Sequence, residues 1–224
     1  DLHKAIRRQR QMCIRDRSLS GWPILWRETG ETSWLIFRNK ELKNVWRNHN
    51  MKIVILNGSA RKGNTSAAIQ AFRKGAEGKH EIEVIEPHKL HIAPCKGCGA
   101  CQCHKGCVDK DDTNPTIDAI AAADMILFAS PVYWWGITGQ LKLVIDKCYC
   151  RGMQIKGKKV GLIVTGGAPV DNVQYELIEK QFDCMAEYLG WDMLFQKRYS
   201  ANAKDELAKN EAVMAELEEL GKEL

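Results

Sequence analysis

The chain has few prolines, six in 224 residues, and no apolar run long enough to cross a bilayer. Its most apolar stretch, Ile120 to Gly136, is broken by Asp124 and Pro131. It lacks the charged segment, apolar segment and cleavage site of a secretory leader. Its nine cysteines are therefore expected as thiols in a reducing compartment, by default the cytoplasm, rather than as a disulfide framework. Over most of its length it also lacks an excess of either charge. The formal +5 is carried by residues 1–50, with 11 Lys and Arg against 5 Asp and Glu; the remainder holds 22 against 23. A neutral main body argues against nucleic acid as a partner. With no repeats or low-complexity tracts, the length fits one α/β domain plus an appendage.

The appendage is residues 1–50, which contain Trp22, Trp26, Trp34 and Trp46 and many arginines, without a sustained helical or strand period. Gln11 to Ser18 (QMCIRDRS) resembles translated sequencing-adapter read-through, which would make the segment an artefact; a genuine basic extension is the other reading. Met51 opens directly into a strand, and the working domain is expected over 51–224, folding and binding cofactor without the first fifty residues.

Met51 to Asn57 (MKIVILN) is a short, almost unbroken apolar run, as in a strand buried on both faces of a parallel sheet. Ala68, Ile69, Phe72 and Ala76 then follow at helical spacing, with Gly78 as a stop. Ile82 to Ile85 gives a second strand, and Asn114-Pro115 starts an Ala/Ile helix. Met125 to Ala129 is a third strand, followed by a helix bearing Leu141, Val144, Ile145 and Cys148 on one face. Val160 to Thr165 and Met193 to Phe195 supply the fourth and fifth strands, around a helix with Leu177, Ile178, Phe182 and Met185 inward. A charged helix from about Lys204 to Glu223 closes the chain, with Leu207, Met214 and Leu217 inward. Such alternation predicts a doubly wound parallel α/β sheet covered by helices on both faces. Ligands of such sheets bind beyond the strands' carboxyl ends, beside the first strand.

Asn57 to Ser66 (NGSARKGNTS) joins the first strand to the first helix there. Gly58, Gly63, the hydroxyls of Ser59, Thr65 and Ser66, and the helix N-terminal amides suit a phosphate. The glycine spacing equals that of a nucleotide P-loop, but Asn64 stands where that motif needs lysine. A monoester phosphate without magnesium fits better; a plain polar turn capping the helix is the bland alternative.

Ser130 to Lys142 (SPVYWWGITGQLK) places Tyr133, Trp134 and Trp135 on the loop after the third strand. Three consecutive aromatics cannot all face a core from a loop. A planar bound ring explains them, with Pro131 stiffening the backbone and Gly136 letting amides approach. A contact with a second subunit is compatible with this role. The Tyr133 hydroxyl is expected anchored in the core, with donation to an oxygen of a bound ring as the alternative.

The GSxRxGNT loop, the SPVYxxxxxGQLKxxID segment and a CxGCxxC loop between them resemble the NAD(P)H-dependent FMN reductase and iron–sulfur flavoprotein group of the flavodoxin-like superfamily. The resemblance covers Met51 to the fifth strand and implies strand order 2-1-3-4-5. It implies that Ser59, Arg61, Asn64, Thr65 and Ser66 hold the FMN phosphate. Pro131, Val132, Tyr133, Trp134, Trp135 and Gly136 would border the isoalloxazine, and Thr165, Gly166 and Gly167 would close the third side. The redox chemistry would then be the flavin's, so no catalytic acid or base is named, and His88, His91 and His104 are uncommitted.

Cys95, Cys98, Cys101 and Cys107 lie at C-x2-C-x2-C-x5-C within a loop over residues 91–112, with Cys103 as an extra thiol. By resemblance this is the iron–sulfur flavoprotein pattern; structural zinc and a metal-free thiol loop stay open as readings. Cys148, Cys150 and Cys184 are expected as buried small apolar residues on helices.

The expected function is an FMN-dependent oxidoreductase taking hydride from NAD(P)H, with a quinone, flavin, nitro compound or redox protein as acceptor. The alternative is an iron–sulfur electron carrier fed by ferredoxin. No nucleic acid or membrane partner is expected, and a homodimer or homotetramer is.

Overall fold

The computed structural model describes residues 50–103 and 106–224, so the extension over 1–49 and His104 lie outside the described residues. Five strands form one sheet: β1 (Lys52–Asn57), β2 (Glu81–Ile85), β3 (Met125–Pro131), β4 (Lys159–Gly166) and β5 (Asp192–Ser200). Every neighbouring pair is parallel, in the order β2-β1-β3-β4-β5. The helices are α1 (Asn64–Ala76), α2 (Thr113–Ala122), α3 (Gly139–Lys147), α4 (Val173–Leu189) and α5 (Glu211–Lys222). Among the described residues no helix is long and apolar enough to cross a membrane.

The unbroken apolar run of β1 follows from strand geometry. Successive side chains point to opposite faces, and both faces are covered. Ile53 and Ile55 join Ile69 and Phe72 of α1 and Leu217 of α5. Val54 and Leu56 join Ile117 and Ile120 of α2, Leu141 and Val144 of α3 and Ile178 and Phe182 of α4. β3 alternates in the same way, with Met125 and Leu127 on the first side and Ile126 and Phe128 on the second.

Three boundaries differ from the sequence expectation. β5 runs from Asp192 to Ser200 rather than from Met193 to Phe195, because it is an edge strand with a solvated side. Its polar half includes Lys197 and Arg198, which pair with Glu216 and Glu179 at 2.6 and 3.5 Å. The last helix starts at Glu211, not near Lys204, since Asn210 caps it by accepting from the Val213 N–H at 3.2 Å. On α4 the inner face is Tyr175, Ile178, Phe182 and Ala186, while Leu177 is half exposed to solvent.

Helices α1 and α5 approach backbone to backbone. A methyl group at Gly75 would lie 1.8 Å from the Glu218 carbonyl oxygen, and one at Gly221 would lie 2.2 Å from that of Phe72. Two predictions follow from this packing and from the start of the sheet. Gly75→Ala must push the helices apart and should lower unfolding free energy by about 1–3 kcal/mol or more in denaturant titration. The second concerns His80, whose Nδ1 accepts the Met51 N–H at 3.2 Å. Burial, aided by Lys79, lowers its pKa from 6.5. A depressed histidine favours the folded state while neutral, so its contribution is full above the ordinary value and is lost as pH falls below it. Stability should therefore fall as pH drops below about 6.5, and His80→Gln should flatten that slope.

Candidate functional site: the strand-end loops and the cysteine loop

The chain leaves β1 toward β2 on one side and returns to β3 on the other, so a cleft opens beyond the β1 and β3 carboxyl ends. Gly58 sits at its floor. Its N–H donates to the Ala129 carbonyl at 2.7 Å, and its own carbonyl accepts from Thr138 Oγ1 and Gln140 Nε2, both at 2.8 Å. A Cβ there would come within 3.0 Å of Ala129 O and Thr138 Oγ1, so glycine is what lets the first and third loops touch. Thr138 is itself held by Ser130, whose Oγ accepts the Thr138 N–H at 3.1 Å.

The loop after Gly58 folds on itself. Ser59 Oγ and Ser66 Oγ both donate to the Arg61 carbonyl, at 2.9 and 3.2 Å, and Arg61 projects into solvent. Gly63 begins α1 without a capping side chain, and the first-turn amides of Asn64, Thr65 and Ser66 face the loop mouth. Asn64 turns its amide group inward. Nδ2 donates to Ala201 and Ala203 carbonyls at 3.2 and 2.9 Å, and Oδ1 accepts the Leu207 N–H at 3.1 Å. Thr65 Oγ1 is buried against Thr165 Oγ1 at 2.7 Å. Among the five residues of the phosphate set, then, Ser59, Asn64 and Thr65 brace the loop with their side chains; the Ser59 N–H is taken by Asn57 Oδ1 at 3.0 Å, which leaves the first-turn amides of α1 for a ligand.

The aromatic loop is a two-residue hairpin turn. Tyr133 and Gly136 exchange hydrogen bonds of 2.9 and 3.1 Å, and Trp134 and Trp135 occupy its centre at φ of 49° and 62°. Both central positions of this mirror-type turn favour Asn and Gly, and a tryptophan in the left-handed region costs about 1–3 kcal/mol. The two rings meet edge to face at 5.6 Å, with Trp134 91% and Trp135 54% exposed. Tyr133 is also exposed, at 48%, so its hydroxyl is not the core anchor expected from the sequence. Pro131 and Val132 are half-buried.

At the end of β4, Thr165 and Gly166 are buried and Gly167 is exposed. The Val132 N–H donates to the Thr165 carbonyl at 2.8 Å, so the aromatic loop is tied to the same residue that meets Thr65. A side chain at Gly166 would come within 2.8 Å of the Tyr175 hydroxyl. The three loops named from the sequence are thus in mutual contact. Thr65 and Thr165, which join two of them, were in the expected set; Thr138 and Gln140, which join the β1 and β3 loops, were not singled out, although Gln140 belongs to the GQLK motif and Ser130 to SPVY.

The cysteine loop lies at the other end of α3. Cys95, Cys98, Cys101 and Cys107 are free thiols, and Gly97 and Gly99 turn the chain between the first three at φ of 60° and 69°. Burial, then the neighbouring Cys98, and further out Cys107 and Cys95, push the Cys101 thiol above its ordinary value. Among the described residues no three His, Cys, Asp or Glu side chains are gathered about a single ion-sized point. Cys107 is clamped by Asn114, which accepts its N–H at 2.9 Å and donates to its carbonyl at 2.8 Å. Its sulfur lies 3.5 Å from the ammonium of Lys147, which bonds Asp109 at 2.6 Å.

Of the remaining cysteines, Cys148 and Cys150 pack partly buried against the core from a 3-10 turn. Two differ from expectation: Cys103 is disulfide-bonded rather than an extra thiol, and Cys184 is exposed on α4, where its neighbours Phe182 and Ala186 take the inner face. Burial pushes the Cys148 thiol up to about 12. Cys101 and Cys150 both border an open groove of about 1090 Å³, whose walls include Tyr149, Met153, Tyr188 and Trp191.

Comparison with known proteins agrees with this arrangement. A family model described as NADPH-dependent FMN reductase matches residues 51–185. An iron-sulfur flavoprotein of Archaeoglobus fulgidus is 36% identical over 118 residues, 51% of this chain and 54% of that protein. One from Methanosarcina thermophila is 32% identical over 140 residues, 60% of this chain and 73% of that protein. The chain therefore spans between about half and three quarters of these relatives. A flavodoxin from Agrobacterium tumefaciens superposes with a TM-score of 0.54 at 16% identity, over 77% of this chain and 94% of its own, a likeness of fold. With its five-stranded 2-1-3-4-5 sheet and laced strand-end loops, this chain belongs to the NADPH-dependent FMN reductase family and has a flavodoxin-like fold.

Proposed function

We propose that this chain binds FMN across the three strand-end loops, takes hydride from NAD(P)H, and passes electrons to a quinone, flavin, nitro compound or redox protein. The observation that carries this reading is the Trp134–Trp135 pair. Two large rings are held exposed in a strained turn, at the point where loops from β1, β3 and β4 meet. Strain of this kind persists where surrounding structure over-determines it, typically at ligand clamps.

The residues fit the group. The uncapped first turn of α1 offers N–H groups and the positive end of its dipole to a phosphate, with Arg61 and Ser66 at the rim. Open space beside Gly63 leaves room for that phosphate; a Cβ there would meet nothing closer than the Arg61 side chain at 3.7 Å. Pro131 to Gly136 border a planar ring on one side and Thr165 to Gly167 on another. Bound FMN supplies the hydride- and electron-accepting chemistry. The protein's part is to fix the ring and exclude water from one face of it. A second copy of the chain, as dimer or tetramer, is the cover we assign to the exposed Trp134.

We assign Cys95, Cys98, Cys101 and Cys107 to an iron–sulfur cluster. All four are free thiols of one loop, and Cys98, Cys107 and Cys95 all act electrostatically on Cys101, the neighbourhood that a multi-iron cluster with one thiolate per iron requires. The names of the archaeal relatives lend support. The same loop favours, as second reading, an electron carrier fed by ferredoxin. The groove beside Cys101 is flanked by exposed Tyr149, Met153 and Tyr188, where a redox protein would come close to the thiols.

Three outcomes test these assignments. Replacing Trp134-Trp135 by Asn-Gly should stabilise the fold by about 1 kcal/mol or more, since those residues suit the turn, while weakening FMN affinity. Unchanged affinity would reassign both rings to packing. Cys98→Ser should strip iron yet leave FMN bound, as read by metal analysis and flavin fluorescence. Mixed anaerobically with NADPH or NADH, the holoprotein should bleach in the flavin bands within its turnover time; bleaching only with reduced ferredoxin would favour the carrier.

A further inference from the structure

Among the described residues, Lys147 is the one charged side chain that is buried, at 3% exposure. Enclosing an ammonium is costly unless it is paired and hydrogen-bonded. Its Nζ has two partners: Asp109 Oδ2 at 2.6 Å and Cys107 Sγ at 3.5 Å. Asp109 also accepts from Lys96 Nζ at 2.9 Å, beside Cys95, so one carboxylate ties both ends of the cysteine loop to the end of α3. Around Cys107 the backbone is fixed as well. Asn114 holds its N–H and carbonyl, and the preceding Gly106 is packed so closely that a Cβ would meet Asn114 Oδ1 at 2.4 Å and Arg151 Nη1 at 2.7 Å.

We propose that Lys147 is a positioning residue for the cysteine site: it donates to Cys107 Sγ, fixes the direction of that thiolate, and offsets the negative charge gathered there. The proposal rests on the cluster reading above and goes beyond it. A lysine on a sulfur acts in two ways. The hydrogen bond fixes the direction of the ligand, and the charge favours the more negative, reduced form of the site, which raises its potential. The location has a further consequence. Lys147 ends the helix that begins one residue after Thr138, so a nine-residue helix, about 13 Å long, spans from the flavin-side loops to the thiolate loop. The position of Cys107 relative to the flavin cleft is thereby set by one rigid element.

The test uses the full chain, purified anaerobically, as wild type, Lys147→Gln, Lys147→Arg and, as surface control, Lys142→Gln. Iron per chain, iron release to a chelator, FMN content and the midpoint potential of the iron site are measured on each. Lys147→Gln should release iron about 10–100-fold more readily and shift the potential downward, with FMN content unchanged. Lys147→Arg should keep most of both properties, and Lys142→Gln all of them. Iron retention and potential in Lys147→Gln equal to wild type would overturn the proposal. Wild-type protein without iron would instead sink the cluster reading. The Lys147–Cys107 contact is then decided on the metal-free protein by the alkylation rate of Cys107, mapped by mass spectrometry. Slower alkylation in Lys147→Gln upholds the contact's role, and equal rates overturn it.

Discussion

The strand-end mouth of the molecule depends on how closely β1 and β3 can approach at Gly58. In a parallel sheet each strand returns through a crossover, so the loops that can meet are those at the carboxyl ends. Whether they do meet is decided by volume. At Gly58 there is room for a hydrogen atom and little more, with the Ala129 carbonyl and the Thr138 hydroxyl each 3.0 Å from where a Cβ would stand. Because that gap is closed, the Gly58 carbonyl can accept from Thr138 and Gln140, and α3 is pinned at its start. The Thr65–Thr165 bond then draws the β4 loop against the β1 loop, completing a three-sided mouth.

That mouth is built with polar side chains turned inward and backbone amides turned outward. Asn64 spends its whole amide group on the segment around Ala201 to Leu207, which fixes the start of α1 without touching a ligand. A helix start fixed in this way keeps its first-turn N–H groups pre-aimed, which is what an anion site needs if binding is not to cost ordering entropy. The Trp134–Trp135 turn is the opposite case, since it holds two rings in a conformation the backbone disfavours. The same molecule therefore combines a helix start of low strain with an aromatic turn of high strain.

Much of this was legible in the residues. Doubly buried strands announce themselves as apolar runs, and Met51 to Asn57 and Met125 to Ala129 were readable for that reason. The edge strand was not: β5 alternates and carries Lys197 and Arg198, so only its apolar start, Met193 to Phe195, stood out. Local cap chemistry moved the start of α5, because Asn210 stops a charged segment whose periodicity alone extends further back. The loops of the cleft were visible as glycine, hydroxyl and aromatic clusters, yet the pieces that join them were not. Thr138 lies 80 residues from Gly58, and Lys147 lies 40 residues from Cys107; no local pattern encodes such pairs. Cys184 shows the limit of composition, since a small apolar residue on a helix was expected inside and lies outside.

The account's central claim is that one chain holds a flavin at the strand ends and iron at the cysteine loop. Its most direct test is the absorption spectrum of the anaerobically purified protein, with released FMN and iron quantified on the same sample. Flavin bands over a broad brownish absorption, with FMN and iron in proportion to protein, are the predicted result. A colourless protein that takes up no FMN on reconstitution would contradict it.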